Sequence, residues 1–208
     1  MEAAPRMRGV YDGHRTAALS GVPYSTIQYW ARERVVVPSI SPDRVRLWSW
    51  SDLLKLRAVT WLRKRAHMGM PRVLDLFGEI DSLGLTDVPL QDVVLVSGRG
   101  EPYIGLDGLI FRADRGRQVG AEDFLFLTRP FDATGPDLLV PRPSLRIIPG
   151  KVSGQPHVAG TRIPSLSVYA LSLSGYGVPD ILTMLPDLTE GAVTESVDLE
   201  ESLQPRAA

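Results

Sequence analysis

Gly13 to Arg34, GHRTAALSGVPYSTIQYWARER, constrains the fold more than any other stretch, because its spacing admits one local plan. His14 to Ser20 suits a short helix burying Ala17, Ala18 and Leu19. Gly21-Val22-Pro23 makes a tight turn, and Pro23 favours the opening of a second helix. On that second helix Ile27, Trp30 and Ala31 fall at i, i+3 and i+4 and share a buried face. Ser25, Thr26, Gln28, Tyr29 and Arg32 are left on the opposite side. These are the donors and stacking groups that reach phosphates and base edges when a helix enters a major groove. A helical hairpin in an unrelated core fits this segment alone equally well, so the residues that follow must decide.

Val35-Val36-Val37-Pro38 and Val45-Arg46-Leu47-Trp48 are short apolar runs separated by the turn-rich Ser39-Ile40-Ser41-Pro42-Asp43-Arg44, which predicts a small hairpin. A hairpin directly after a recognition helix is a wing. Ser49 to Ala66 then reads as helix, with Ser49 and Asp52 spaced as a capping pair and Leu53, Leu56, Val59 and Leu62 as an apolar stripe.

From Gly21-Val22-Pro23 through Thr26-Ile27-Gln28-Tyr29-Trp30 to Pro38, Arg46-Leu47-Trp48-Ser49 and Asp52-Leu53, the first third of the chain resembles the winged-helix DNA-binding domain of MerR-type regulators. The resemblance implies that Gln28, Tyr29 and the wing residue Arg46 approach the DNA backbone. MerR regulators usually continue into a long dimerising helix and an effector site, and neither pattern is evident here.

Charge is divided along the chain. Residues 1 to 72 hold 13 Lys and Arg against 5 Asp and Glu, a balance of +8, and residues 73 to 208 hold 10 against 19, a balance of −9. The basic part suits phosphate, with positive charge at Arg32, Arg34, Arg44, Arg46, Arg57 and Arg63-Lys64-Arg65. The last cluster also reads as a solvated helix face, the preferred assignment there, whereas Arg32 and Arg44 and Arg46 sit on the recognition helix and the wing. The absence of cysteine removes disulfides, thiolate metal sites and cysteine catalysis. No apolar run is long enough to cross a bilayer and no signal-peptide pattern opens the chain, so no membrane partner and a cytoplasmic location are expected.

Met68-Gly69-Met70-Pro71 breaks the helix, and Pro71 opens another whose apolar face is Val73, Leu74, Phe77 and Ile80, ending near Gly84. From Leu85 to Pro143 short strand-like runs follow: Val93 to Val96, Leu109 to Phe111 and Phe124 to Leu127. They predict a small antiparallel sheet or an irregular β-rich connector. Ser97-Gly98-Arg99-Gly100-Glu101 lacks the Lys-Ser/Thr ending of a phosphate loop and reads as a turn. Asp107, Asp114, Glu122 and Asp123 have no metal-site spacing and read as loop charges. Phe131 to Pro143 has the composition of a linker.

After Leu145-Arg146-Ile147-Ile148 comes Gly154-Gln155-Pro156-His157-Val158-Ala159-Gly160-Thr161-Arg162-Ile163-Pro164, then three helical patterns. Leu166, Tyr169, Ala170 and Leu173 have helical spacing ended by Gly175, Val178 to Leu185 makes the second helix, and Thr189 caps a third running to about Leu203. With Tyr176-Gly177-Val178-Pro179 and Leu185-Pro186-Asp187-Leu188-Thr189, these last sixty or so residues resemble a small tri-helical family of unknown function whose signature contains Gly-Thr-Arg-Ile-Pro. Members of that family are commonly antitoxins encoded beside PIN-domain ribonuclease toxins. Joined to a MerR-like front, the segment looks like a VapB-type antitoxin of a VapBC pair. The resemblance implies operator binding by one end and capture of a VapC-type toxin by another, with no cofactor.

Leu173 to Ile181 repeats the plan of Leu19 to Ile27, but without the basic face. Between Pro186 and Leu203 lie Asp187, Glu190, Glu195, Asp198, Glu200 and Glu201 and no base, a surface that phosphate repels. A helix-turn-helix-like shape that binds protein is therefore expected, with Asp187, Glu190 and Glu195 as toxin-facing acids. Arg162 has two readings: an arginine offered to the acidic metal pocket of a PIN nuclease, or one fixing the turn before the helix by pairing with carbonyls or a carboxylate; the second is preferred. His157 has no second histidine nearby and is a weak metal ligand.

The expected fold class is α+β: a winged helix over residues 1–84, a β-rich middle over 85–143 and a tri-helical domain over 144–208. The expected function is a dimeric repressor and antitoxin without catalysis of its own. The alternative is a MerR-like regulator sensing a small molecule through the middle segment. No Ser-His-Asp order, His-Glu-x-x-His motif or nucleotide loop points to an enzyme.

Overall fold

The computed structural model describes residues 9–64, 67–82, 94–98, 101–106, 109–112, 123–126, 128–130 and 135–204. The fold is α+β. Helix α1 (Gly13–Ser20) is capped by Asp12, whose Oδ1 accepts from the Arg15 amide at 2.8 Å, and it ends at Gly21, whose φ of 73° continues the chain into the turn. Helix α2 (Tyr24–Arg32) follows Pro23 and buries Ile27 and Trp30 as its spacing predicts.

The wing differs from its expected form. Its antiparallel bridge joins Ser41 to Leu47, and Trp48 pairs with Tyr11 ahead of α1. Val35 to Pro38 is therefore not the first arm of the hairpin: the chain turns there, and Val36 is buried in the core. Apolar character at Val36 and Pro38 serves burial under the turn and not strand pairing, while Val37 is exposed.

Helix α3 (Trp50–Lys64) starts with the expected cap. The Ser49 amide donates to Asp52 Oδ2 at 2.8 Å and the Asp52 amide to Ser49 Oγ at 3.2 Å. Beyond the predicted stripe, Leu54, Ala58, Thr60 and Trp61 are also buried, so α3 is wrapped on nearly all sides. Arg57 is buried as well, with no exposed surface, which removes it from the phosphate-facing set proposed from charge density. In helix α4 (Met70–Ser82) Val73 is buried and Phe77 packs against the core, whereas Leu74 is 41% exposed and lies off the face predicted for it.

The middle forms a four-stranded antiparallel sheet of order β3-β2-β1-β4, from β1 (Val94–Gly98), β2 (Glu101–Leu106), β3 (Leu109–Arg112) and β4 (Asp123–Phe126). Gly98 pairs with Glu101 at the end of the β1–β2 ladder. Arg65, Ala66, Gly84, Val93, Arg99, Gly100, Asp107, Asp114, Glu122, Leu127 and Phe131 lie outside the described residues.

Residues 135–143 are not a loose linker. Leu138 and Pro141 are buried, and Arg57 grips the stretch from α3, its Nη1 donating to the carbonyls of Thr128 and Arg129 and its Nη2 to those of Leu19 and Pro136. Burial pushes the guanidinium down to about 9, partly offset by Asp137, so it is charged at neutral pH.

Strand β5 (Leu145–Arg146) pairs with β6 (His157–Val158), and three helices follow: α5 (Ser165–Leu173), α6 (Val178–Met184) and α7 (Glu190–Ser202). Thr189 caps α7 by accepting from the Ala192 amide at 3.2 Å. The predicted face of α5 is only partly inward: Tyr169 is buried, with Ser165 and Val168, but Leu166 is 50% and Leu173 70% exposed. Buried side chains from Tyr11 to Leu203 belong to one apolar cluster, so the winged helix and the tri-helical domain share a core.

Candidate nucleic-acid interface

The recognition face is built on α2. Ile27 and Trp30 anchor it inward, which fixes Ser25, Thr26, Gln28, Tyr29 and Arg32 on the outer side. Ser25, Tyr29 and Arg32 are exposed, and Thr26 and Gln28 are half-buried. Pro23 provides no side-chain cap, so the first N–H groups of α2 have no side-chain acceptor there and remain suited to a phosphate oxygen.

Arg32 lies over the Tyr29 ring, 5.5 Å from its centroid, and its Nε contacts Glu33 Oε1 at 3.2 Å. Both side chains of that ion pair are largely in water, so it costs little to exchange Glu33 for a phosphate. Arg46 behaves differently. Its Nη1 donates to Gln28 Oε1, which ties the wing to the recognition helix and presents the two residues as a unit. Arg44 stands exposed in the loop between the bridged residues Ser41 and Leu47. The structure therefore brings Gln28 and Arg46 together and groups Tyr29 with Arg32, with Arg44 apart at the tip.

Three residues that the sequence reading did not single out support this face. His14 and Tyr24 stack with ring centroids 4.1 Å apart and planes within 6°. Gly13 makes room for them: a Cβ there would lie 2.7 Å from the Tyr24 ring and 3.1 Å from Gln28 Nε2. The sequence signal available was a glycine immediately before an aromatic-capable histidine at the start of α1.

The acidic residues assigned to toxin capture divide into free and engaged groups. Asp187 and Glu190 are exposed. Glu195 accepts from the Ser144 amide at 2.6 Å, and Asp198 pairs with Arg142 at 2.6 Å. Glu200 is fully buried: its carboxylate takes both Nη atoms of Arg15 at 2.6 and 2.8 Å and the Ser165 hydroxyl. It is an internal strut and not part of an acidic surface.

Arg162 is exposed and forms no hydrogen bond or ion pair with the described residues. The turn it was expected to fix is held instead by Thr161, whose Oγ1 donates to the Val158 carbonyl at 2.9 Å and accepts from the Ile163 amide at 3.0 Å. His157 is buried, with Nδ1 3.0 Å from the Gln155 carbonyl. Among the described residues no group of three His, Cys, Asp or Glu could hold a metal, and no helix is long and apolar enough to cross a membrane.

Residues 12–76 match the family described as MerR HTH family regulatory protein, and residues 146–198 match a family described only as a protein of unknown function, DUF433. No curated protein and no solved structure matches the chain. The first match falls on α1, α2, the wing and α3, the elements that carry the face just described, and supports a DNA-binding regulator.

Proposed function

We propose that this protein is the antitoxin of a toxin–antitoxin pair, which binds operator DNA through the winged helix and captures a PIN-domain, VapC-type ribonuclease through its C-terminal domain. The observation that carries the reading is the contrast between two similar corners on one chain. The α1–α2 corner and the wing beside it present Gln28, Tyr29, Arg32, Arg44 and Arg46, whereas the stretch that carries the α5–α6 corner has no Lys or Arg between Arg162 and Arg206. A surface of that charge repels DNA and suits a protein. The resemblance of the Gly-Thr-Arg-Ile-Pro segment to antitoxin-type domains supplies the class of partner.

In this reading the protein represses its own operon as a homodimer, since two recognition helices are needed to read a palindrome. It performs no catalysis, needs no cofactor and works in the cytoplasm, where operator and nuclease both are. Arg162, Asp187 and Glu190 are the polar groups offered to the nuclease, with Glu195 adjoining them on α7.

The test mixes the full chain with the product of the gene beside its own and follows ribonuclease activity and operator binding together. Capture and silencing of the nuclease, with specific retardation of the promoter fragment, is the expected result. Promoter binding that responds to a metabolite while no nuclease is captured would replace this reading with a small-molecule regulator.

A further inference from the structure

We infer that the groove between the α5–α6 corner and α7 receives a cationic amphipathic segment of the captured protein. The inference rests on the proposed capture of a partner and specifies where it occurs. Its floor is Ile181, Val193 and Val197, its wall is Tyr176, and Asp198 and Glu201 lie at its edge, around a volume of about 280 Å³. Typical pockets for small organic ligands span about 300–1,000 Å³ and enclose most of the ligand. An open, apolar cleft of this size fits a few side chains from one face of a helix.

The internal repeat shows that this corner lacks a cover. Leu19 and Val22 of the α1–α2 corner are 0% and 3% exposed, and their counterparts Leu173 and Tyr176 are 70% and 47% exposed. At the first corner residues 135–138 close over the turn. A Cβ on Gly135 would lie 2.8 Å from the Leu19 carbonyl, and Arg57 reaches the same oxygen at 2.7 Å. Gly175 repeats the left-handed turn of Gly21, with φ of 90° against 73°, yet among the described residues nothing lies within 4 Å of a Cβ placed there. An apolar corner that is covered in one copy and bare in the other is a surface prepared for another chain.

Charge selects the occupant. From Ile163 to Gln204 there are seven carboxylates and no Lys or Arg. Asp180, Glu195, Asp198 and Glu200 are engaged by Gly177, Ser144, Arg142 and Arg15 respectively. Asp187, Glu190 and Glu201 are exposed and outside every ion pair among the described residues, and Glu201 lines the groove itself. An incoming helix with apolar residues on one face and Lys or Arg along its border satisfies both the floor and the edge.

The test compares the full chain with Thr194→Arg, which fills the groove from an exposed position, with Glu201→Lys, and with Thr183→Arg, which adds the same charge on α6 outside the groove. Each is titrated with the neighbouring ribonuclease and with two labelled synthetic helices, one of Leu and Lys and one of Leu and Glu. Operator binding and melting temperature serve as the check of folding. The expected result is a loss of at least about tenfold in ribonuclease affinity for Thr194→Arg and Glu201→Lys and none for Thr183→Arg. Ribonuclease capture undiminished by both groove variants overturns the groove and leaves partner capture standing. If the unaltered chain captures no ribonuclease, partner capture by this nuclease fails, and the synthetic helices decide the groove. Binding of the Leu-Lys helix alone, lost in Thr194→Arg, supports it, and equal binding or no binding of the two helices overturns it.

Discussion

Arg15 on α1 and Glu200 on α7 meet in a two-pronged ion pair, Nη1 to Oε2 at 2.6 Å and Nη2 to Oε1 at 2.8 Å, across 185 positions of sequence. The Arg15 side chain is 13% exposed and that of Glu200 0%. Arg15 Nε donates to Gln155 Oε1 at 2.9 Å, so the guanidinium joins the DNA-facing half to both the β6 approach and α7. One face of α7 thus holds α1, and another lines the apolar groove.

Removing one partner of this pair leaves the other buried without its counter-charge. Glu200→Gln or Arg15→Met is expected to destabilise the chain by about 3–5 kcal/mol, the usual cost of breaking a buried pair. A double variant Arg15→Met/Glu200→Gln should recover part of that loss. Chemical denaturation of the four proteins closes the cycle, and additive single losses would show that the two residues do not depend on each other.

Arg57 is held by carbonyl oxygens of Leu19, Thr128, Arg129 and Pro136, so its role is to seat the 135–138 stretch against α1 and α3. Arg57→Met keeps the apolar stem and removes the donors. The carbonyls then lose their partners, and a loss of about 2–4 kcal/mol is expected in denaturant titration. Arg57→Lys should be nearly as damaging, because an ammonium cannot span the positions that a planar fork reaches.

What was legible in the sequence was local. Gly21 and Pro23 set the turn, Ile27 and Trp30 set the face of α2, and Ser49 with Asp52 and Thr189 set the starts of α3 and α7, each within a few residues of its partner. What was hidden depends on distant chain. Arg57 and Arg32 look alike in a charge count, but one is enclosed by a stretch more than seventy residues later. Leu166, Tyr169, Ala170 and Leu173 have the spacing of a core stripe, yet of these only Tyr169 reaches the interior, beside Ser165 and Val168, because α7 packs on that side. Glu200 reads as one acid among six until Arg15 is placed beside it.

On the DNA face, Arg32 and Arg44 are free to exchange water and Glu33 for phosphate, so Arg32→Ala and Arg44→Ala should each lower the slope of log K against log salt by about 1 and weaken all sequences alike. Gln28→Ala has a different signature. It releases Arg46 from the recognition helix, and operator affinity should fall together with discrimination between operator and random DNA. Fluorescence titrations at several salt concentrations distinguish the two outcomes.

Tyr11 joins the winged helix to the C-terminal domain at a point where no bulk can be added. Its hydroxyl donates to the Gly154 carbonyl at 2.8 Å, and a Cβ on Gly154 would lie 2.3 Å from that hydroxyl oxygen, at a φ of 76°. Burial raises the phenol's ionisation well above its usual range, so the hydrogen bond persists through any working pH. Tyr11→Phe should cost about 1 kcal/mol, the net worth of one hydrogen bond. Gly154→Ala should cost several times more, because it combines backbone strain with a steric clash against the ring. If the two variants were equally mild by thermal denaturation, the halves would not be pressed together at this contact, and the coupling between them would rest on the shared core and the Arg15 contacts with Gln155 and Glu200.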